Sequence, residues 1–95
     1  MEWKKRLDAL PLLQLNIGRA GGVPADDECL DGDQGEAHYI ATRTWYPNVG
    51  NVYTVSLSGT NTGRETLIDE LTAELGEPLI NERQGEIWFV FWRIL

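Results

Sequence analysis

The segment that decides the fold is the last one, which reads Glu86-Ile-Trp-Phe-Val-Phe-Trp-Arg-Ile-Leu95. Its aromatic and β-branched residues predict a strand, in which successive side chains point to opposite faces of a sheet. Trp88 and Trp92 then share one face, and the two phenylalanines lie on the other. An antiparallel strand with one solvated face alternates apolar and polar residues. Both faces of this strand are apolar, so the second face is covered either by an N-terminal helix or by another protein chain.

A helix suited to cover the first face precedes this strand. Thr62, followed three residues later by Glu65, forms a capping box that predicts the start of the helix. Gly76 predicts its end, because glycine readily adopts the left-handed conformation there. Between them one apolar stripe at helical spacing consists of Leu67, Ile68, Leu71 and Leu75.

Two further elements are predicted near the beginning of the chain. Residues 2–10 place Trp3, Leu7 and Leu10 on one face of a helix. Residues 13–17 alternate apolar and polar side chains, which is typical of a half-buried strand.

The remaining strands are predicted at residues 38–45, 53–57, 79–82 and 86–94. A turn joins the first two, and residues 83–85 join the last two. The element order is therefore α-β-β-β-α-β-β. This order favours an α+β fold: one domain over residues 1–95, with two helices and a mainly antiparallel sheet of four or five strands.

Acidic residues dominate the charge, since fifteen acids against eight bases give a net charge of −7. This balance argues against direct nucleic-acid binding, which needs clustered lysine and arginine. The first acidic cluster lies in a predicted long loop at residues 19–36 and contains Asp26, Asp27, Glu28, Asp31, Asp33 and Glu36. The second lies on the second helix, away from its apolar stripe, and contains Asp69, Glu70 and Glu74.

The second cluster is not what helix stability alone would favour. Glu70 and Glu74 are one helical turn apart, where like charges cost about 0.2–0.5 kcal/mol. Acids in the last turn also oppose the helix dipole. The pattern predicts a negative face that docks a basic protein partner. The alternative is a solvated face that only aids solubility.

Aromatic side chains offer a second candidate contact surface. Tryptophan and tyrosine are enriched at the positions of protein interfaces where binding energy concentrates. The aromatic candidates are Trp45, Tyr46, Trp88 and Trp92. For the pair in the hairpin, the alternative is ordinary cross-strand packing.

Patterns for catalysis or metal binding are incomplete. Cys29 and His38 are the only residues of their types, too few for a zinc site, and no motif places them together as nucleophile and base. The acidic loop lacks the spacing of an EF-hand. Residues 59–64 join a strand to a helix N-terminus, where a small anion or a nucleotide could bind, but they lack the P-loop spacing. We therefore predict no enzyme activity, no cofactor and no metal.

The predicted compartment is the cytoplasm. Asp8 and Pro11 interrupt the apolar run that a signal peptide needs, and no stretch approaches the length of a membrane span. The single cysteine excludes an intramolecular disulfide. We expect no membrane partner.

The small, acidic profile resembles anti-CRISPR and other anti-defence inhibitors from phages and mobile elements, and also toxin-neutralising immunity proteins. The resemblance is one of size and charge and assigns no residue. It implies an inhibitor that mimics nucleic acid with its carboxylates and occludes a basic, nucleic-acid-handling surface of a partner protein. Two alternatives remain: a structural or chaperone-like homo-oligomer that uses the Trp88/Trp92 face, and a small-anion or nucleotide-binding module at residues 59–64.

Overall fold

The computed structural model describes residues 3–14 and 29–94. These residues form α1 (Trp3–Asp8), β1 (Leu12–Gln14), β2 (Leu30–Gln34), β3 (Ala37–Tyr46), β4 (Gly50–Gly59), α2 (Asn61–Leu75), β5 (Ile80–Gln84) and β6 (Ile87–Arg93). The predicted α+β class is confirmed, as is the predicted order of its elements, to which the fold adds one strand, β2.

That added strand corrects part of the prediction of a long loop at residues 19–36. Residues 30–34 pair with β3 as a strand, and the rest of the loop up to residue 28 lies outside the described residues. The strand predicted at residues 13–17 is described only as far as Gln14.

All the described strands join one sheet, with β4 between β3 and β6. β5 lies outside β6, whereas β1 and β2 share the far edge of β3. β2 pairs with residues 37–41 and β1 with residues 43–45. Among the described strands, β1 and β3 form the one parallel pair, and the other pairs are antiparallel.

Both helices pack on the same face of this sheet. Trp3 and Leu7 of α1 and Leu71 of α2 are buried in one core with the side chains of β3, β4 and β6. Trp92 belongs to this core, at 1% exposure, and its indole N–H donates to the carbonyl of Gly76 at 2.9 Å. The helices therefore cover the tryptophan face of β6.

The opposite face, which we call the open face, carries no helix in the described part of the chain. Ile40 and Ile87 on this face are 39% and 43% exposed. The rings of Tyr46 and Phe91 stack with their centres 6.0 Å apart, across β4, and Val52 of β4 is buried. The alternative that the N-terminal helix covers this face is wrong, because α1 packs beside α2.

Helix α2 begins two residues earlier than the capping box predicts. Thr60 is its N-cap, and the Thr60 hydroxyl accepts a hydrogen bond of 3.0 Å from the Gly63 N–H. Thr62 and Glu65 lie inside the helix. Gly76 ends it as predicted, with a φ of 89°.

Two hairpins are built on the same turn sequence. The first joins β2 to β3 through residues 34–36, the second joins β5 to β6 through residues 84–86, and both read Gln-Gly-Glu. In both turns the glycine has a positive φ, 60° at Gly35 and 62° at Gly85, as a tight hairpin turn favours. Because β3 and β6 both run antiparallel to β4, the two turns lie at the same end of the sheet.

Candidate functional site

Acids from both predicted clusters meet at one edge of the sheet. Glu36 of the first turn and Glu70 of α2 line one cleft of about 250 Å³. Glu70 and Glu74 line a second cleft of about 540 Å³, and Gln34 of β2 lines both. We call these adjoining clefts the β2–α2 groove. None of the described residues that line it is basic.

Two more acids lie on the other side of β2. Side chains alternate along a strand, so Asp31 and Asp33 point to the open face while Gln34 points to the groove. Together these acids form a surface that we call the acidic edge, which consists of Asp31, Asp33, Glu36, Glu70 and Glu74.

Glu36 reaches α2 because two glycines allow the first turn to approach closely. A Cβ atom on Gly59 would lie 2.2 Å from the carbonyl oxygen of Glu36. A Cβ atom on Gly63 would lie 2.8 Å from the carbonyl carbon of the same residue. Gly59 also has a φ of 110°, which side-chain-bearing residues rarely adopt. The sequence at the β4–α2 junction thus fixes where the first turn sits.

The Glu36 carboxylate lies beside the N-terminus of α2. One of its oxygens accepts a hydrogen bond of 3.0 Å from the hydroxyl of the N-cap, Thr60. A negative charge is favourable at this end of a helix, and it disfavours a second anion at the same place. The geometry therefore argues against the alternative of a small-anion or nucleotide site at residues 59–64.

A buried arginine, which sequence reasoning missed, holds the second turn. Arg64 is 6% exposed, and its guanidinium donates to the carbonyl of Glu86 and to the side chain of Asn61. Its spacing from Leu67, Ile68 and Leu71 places it beside the buried side of the helix. That spacing was the signal in the sequence.

Glu74 has a structural role that corrects its assignment as a docking residue alone. Its two carboxylate oxygens accept hydrogen bonds from the backbone N–H groups of Trp3, at 2.6 Å, and Lys4, at 2.8 Å. These are the first N–H groups of α1, which have no partner within that helix. Glu74 therefore ties α1 to α2, and this contact offsets its unfavourable position in the last turn of α2.

His38 is bracketed by the two acids of β2. Its Nδ1 lies 2.8 Å from Asp33 Oδ1, and its Nε2 lies 2.9 Å from Asp31 Oδ1. Only the protonated ring donates at both positions. The hydrogen bond to Asp33 raises the pKa of His38 above its ordinary value of 6.5, against an opposing effect of desolvation, and the charges of Asp31 and Asp33 raise it further.

The other acidic candidates do not join this constellation. Asp26, Asp27 and Glu28 lie outside the described residues. Asp69 is exposed on α2 but is not among the described residues that line the groove.

The aromatic candidates lie apart from the acidic edge. Trp92 is buried under α2, so the prediction that it contacts a partner is wrong for the folded chain, and so is a homo-oligomer interface that needs it exposed. Trp88 is half-buried beneath the guanidinium of Arg83, 4.8 Å from its ring centre. Trp45 and Tyr46 are half-buried at the end of β3 farthest from the first turn.

Among residues 3–14 and 29–94, no three histidine, cysteine or acidic side chains are grouped so that they could hold a metal ion. In the same ranges, neither helix has the length and apolar character needed to cross a membrane.

Compared with protein-family models, with curated proteins and with solved structures, the chain matches none of them.

Proposed function

We propose that this chain is a non-enzymatic binding protein whose acidic edge engages the basic, nucleic-acid-handling surface of a partner protein. Its carboxylates take the place of phosphates against the partner's arginines and lysines, which form strong charge-assisted hydrogen bonds with either group. The consequence is inhibition by occlusion, as an anti-CRISPR, anti-defence or immunity protein would act.

The observation that carries the proposal is the meeting of Glu36 and Glu70 in one cleft that no described basic residue lines. These acids come from different elements, and repulsion between like charges opposes their meeting, so stability alone does not explain a cleft lined by acids and by no described base. A concentrated negative patch accelerates association with a basic partner and disfavours partners of like charge. Asp31 and Asp33 extend the patch around the edge strand.

The test is affinity capture from a cell extract with two variants matched in charge. The first, Asp33→Lys with Glu70→Lys, reverses two exposed acids of the acidic edge. The control, Glu77→Lys with Glu82→Lys, reverses two exposed acids outside that edge and changes the net charge equally. Circular dichroism confirms that both variants fold.

We expect the wild type and the control to retain a basic protein that the first variant loses. Raising the salt concentration should release that protein because salt screens the charges, and competing nucleic acid should release it by occupying its basic surface. Equal capture by the two variants would contradict the proposal, as would a wild type that retains no protein in a salt-sensitive way.

A further inference from the structure

The acidic edge is built around a strand whose outer side faces no other described strand. β2 pairs with β3 and with no further strand in the described part of the chain. An unpaired edge presents backbone N–H and C=O groups that another strand can bind. The question is which kind of segment this edge would accept.

The hairpin register shows which backbone groups face outward. The first turn has two residues between Gln34 and Ala37, and residues that flank such a turn exchange both hydrogen bonds. Pairs alternate from there, so Asp33 and Asp31 form non-hydrogen-bonded pairs with His38 and Ile40. Their N–H and C=O groups therefore point away from β3.

Acids lie on both sides of this outward edge. A strand added to β2 would direct alternate side chains to the open face, beside Asp31 and Asp33, and to the β2–α2 groove, beside Glu36 and Glu70. Basic side chains of the added strand would lie near carboxylates on both faces, and its backbone would form hydrogen bonds with the outward N–H and C=O groups of β2.

The opposite edge of the sheet does not offer the same environment. β5 is also an outer strand, but Arg83 lies on its helix side with the guanidinium over the ring of Trp88. A basic segment added there would meet this arginine. Charge thus favours β2 over β5.

We propose that β2 accepts an extended basic segment of a partner protein as an additional strand, with basic side chains placed alternately on the open face and in the β2–α2 groove. This inference rests on the proposed function and specifies how the partner binds. Strand addition of this kind obtains affinity from backbone hydrogen bonds and specificity from alternate side chains.

The probe is a short extended peptide with arginine at successive positions, so that basic side chains lie on both faces of the added strand; it is titrated into the isotope-labelled full chain and followed by NMR. A second peptide has the same sequence, but its backbone amides are methylated at every residue, so that neither of its edges can donate hydrogen bonds to β2. We expect the first peptide to slow amide exchange at Asp31 and Asp33, and the methylated peptide to bind at least about tenfold more weakly.

Two variants at one position separate charge from backbone pairing. Asp33→Ala removes the carboxylate and keeps the outward N–H, and it should weaken peptide binding by about fivefold or less. Asp33→Pro removes both the carboxylate and the outward N–H, at an edge position that tolerates proline. It should weaken peptide binding about tenfold more than Asp33→Ala does. If the proline variant does not fold, the methylated peptide still provides the comparison.

Equal affinity of the two peptides would overturn strand addition while leaving a charge-driven binding site, and so would protection that appears at β5. Absence of peptide binding would also overturn it. The proposed function fails on a different result, which is equal capture of partners by the two charge-matched variants described above.

Discussion

The turns of the two hairpins have the same sequence, but they are held against α2 by different contacts. The first turn approaches α2 through missing side chains, at Gly59 and Gly63. The second turn is held by an added side chain, that of Arg64, which donates to the carbonyl of Glu86. A tight turn can therefore be fixed against a helix either by close backbone contact or by a buried hydrogen-bond donor.

The outer strands of the two hairpins differ even more than their turns. β2 carries the acids of one edge, Asp31 and Asp33, and borders the acidic groove. β5 carries Arg83 over Trp88, and its partner β6 supplies aromatic residues to both faces of the sheet. The outer strand of the second hairpin thus carries an arginine over a tryptophan ring, whereas the outer strand of the first offers an acidic edge. The following experiments test that division.

The largest effect is expected for Gly59→Ala. The new Cβ atom would lie 2.2 Å from the carbonyl oxygen of Glu36, at a φ of 110°. Overpacking and backbone strain together should lower the free energy of unfolding by about 3 kcal/mol or more. Urea denaturation measures the change. Gly63→Ala should also destabilise, although alanine is favoured over glycine in most helices.

The matched control for that substitution is Gly85→Ala in the second turn. Gly85 also has a positive φ, 62°, but nothing lies within 4 Å of its added Cβ atom. The cost should be about 1–2 kcal/mol, that of a left-handed residue alone. If Gly85→Ala destabilises as much as Gly59→Ala, close backbone contact does not distinguish the two turns.

The second effect concerns Arg64→Leu. It removes the buried donor to Glu86 and Asn61, and loss of hydrogen bonds made by a charged group should cost about 1.5–3 kcal/mol. Hydrogen exchange should show lost protection in β5 and β6, with β2 and β3 little affected. Arg83→Leu is the control, because this exposed arginine also donates to Asn61 and should change stability by about 0.5 kcal/mol or less. Uniform loss of protection in both hairpins would contradict this assignment.

The third experiment separates the structural from the surface acids beside the first hairpin. Glu74→Ala removes both hydrogen bonds to the first turn of α1 and should cost about 0.5–2 kcal/mol. Glu70→Ala, one helical turn away and exposed, should stay within about 0.5 kcal/mol. Thermal unfolding of the two variants measures the difference. Equal effects would mean that Glu74 does not anchor α1.

Much of the fold could be predicted from local patterns, and the exceptions have identifiable causes. The sequence predicts a loop where β2 forms, because Asp31, Gly32 and Asp33 are poor strand formers and pairing with β3 makes them a strand. The capping-box pattern predicts Thr62 as the N-cap because only Thr62 has a glutamate three residues later; Thr60, which caps the helix, has Gly63 at that place. Gly59, which directly precedes Thr60, contacts the turn between β2 and β3, and this tertiary contact is not visible in the local sequence.

The candidate site was harder to predict because it depends on how distant segments pack. The sequence shows two acidic clusters, but not that Glu36 and Glu70 would line one cleft. The last strand is apolar on both faces, so its pattern does not reveal which face the helices cover. Packing places Trp92 inside, where Gly76 accepts its indole N–H. The repeated Gln-Gly-Glu turn was visible in the sequence and would have pointed to the two matched hairpins.

The smallest effect concerns pH, and it should be confined to the first hairpin. The hydrogen bond to Asp33, with the charges of Asp31 and Asp33, raises the pKa of His38 above 6.5 in the folded chain. The protonated ring then stabilises the fold fully below the ordinary pKa, and this stabilisation is lost as the pH rises through the raised value. His38 is the only histidine, so NMR can follow its titration without ambiguity. Exchange rates corrected for intrinsic pH dependence should show β2 loosening relative to β5 as the pH rises above 6.5 and through the raised pKa, and His38→Gln should abolish that difference. A His38 that titrates at or below 6.5, or a difference that survives the substitution, would show that the two aspartates do not clamp the ring.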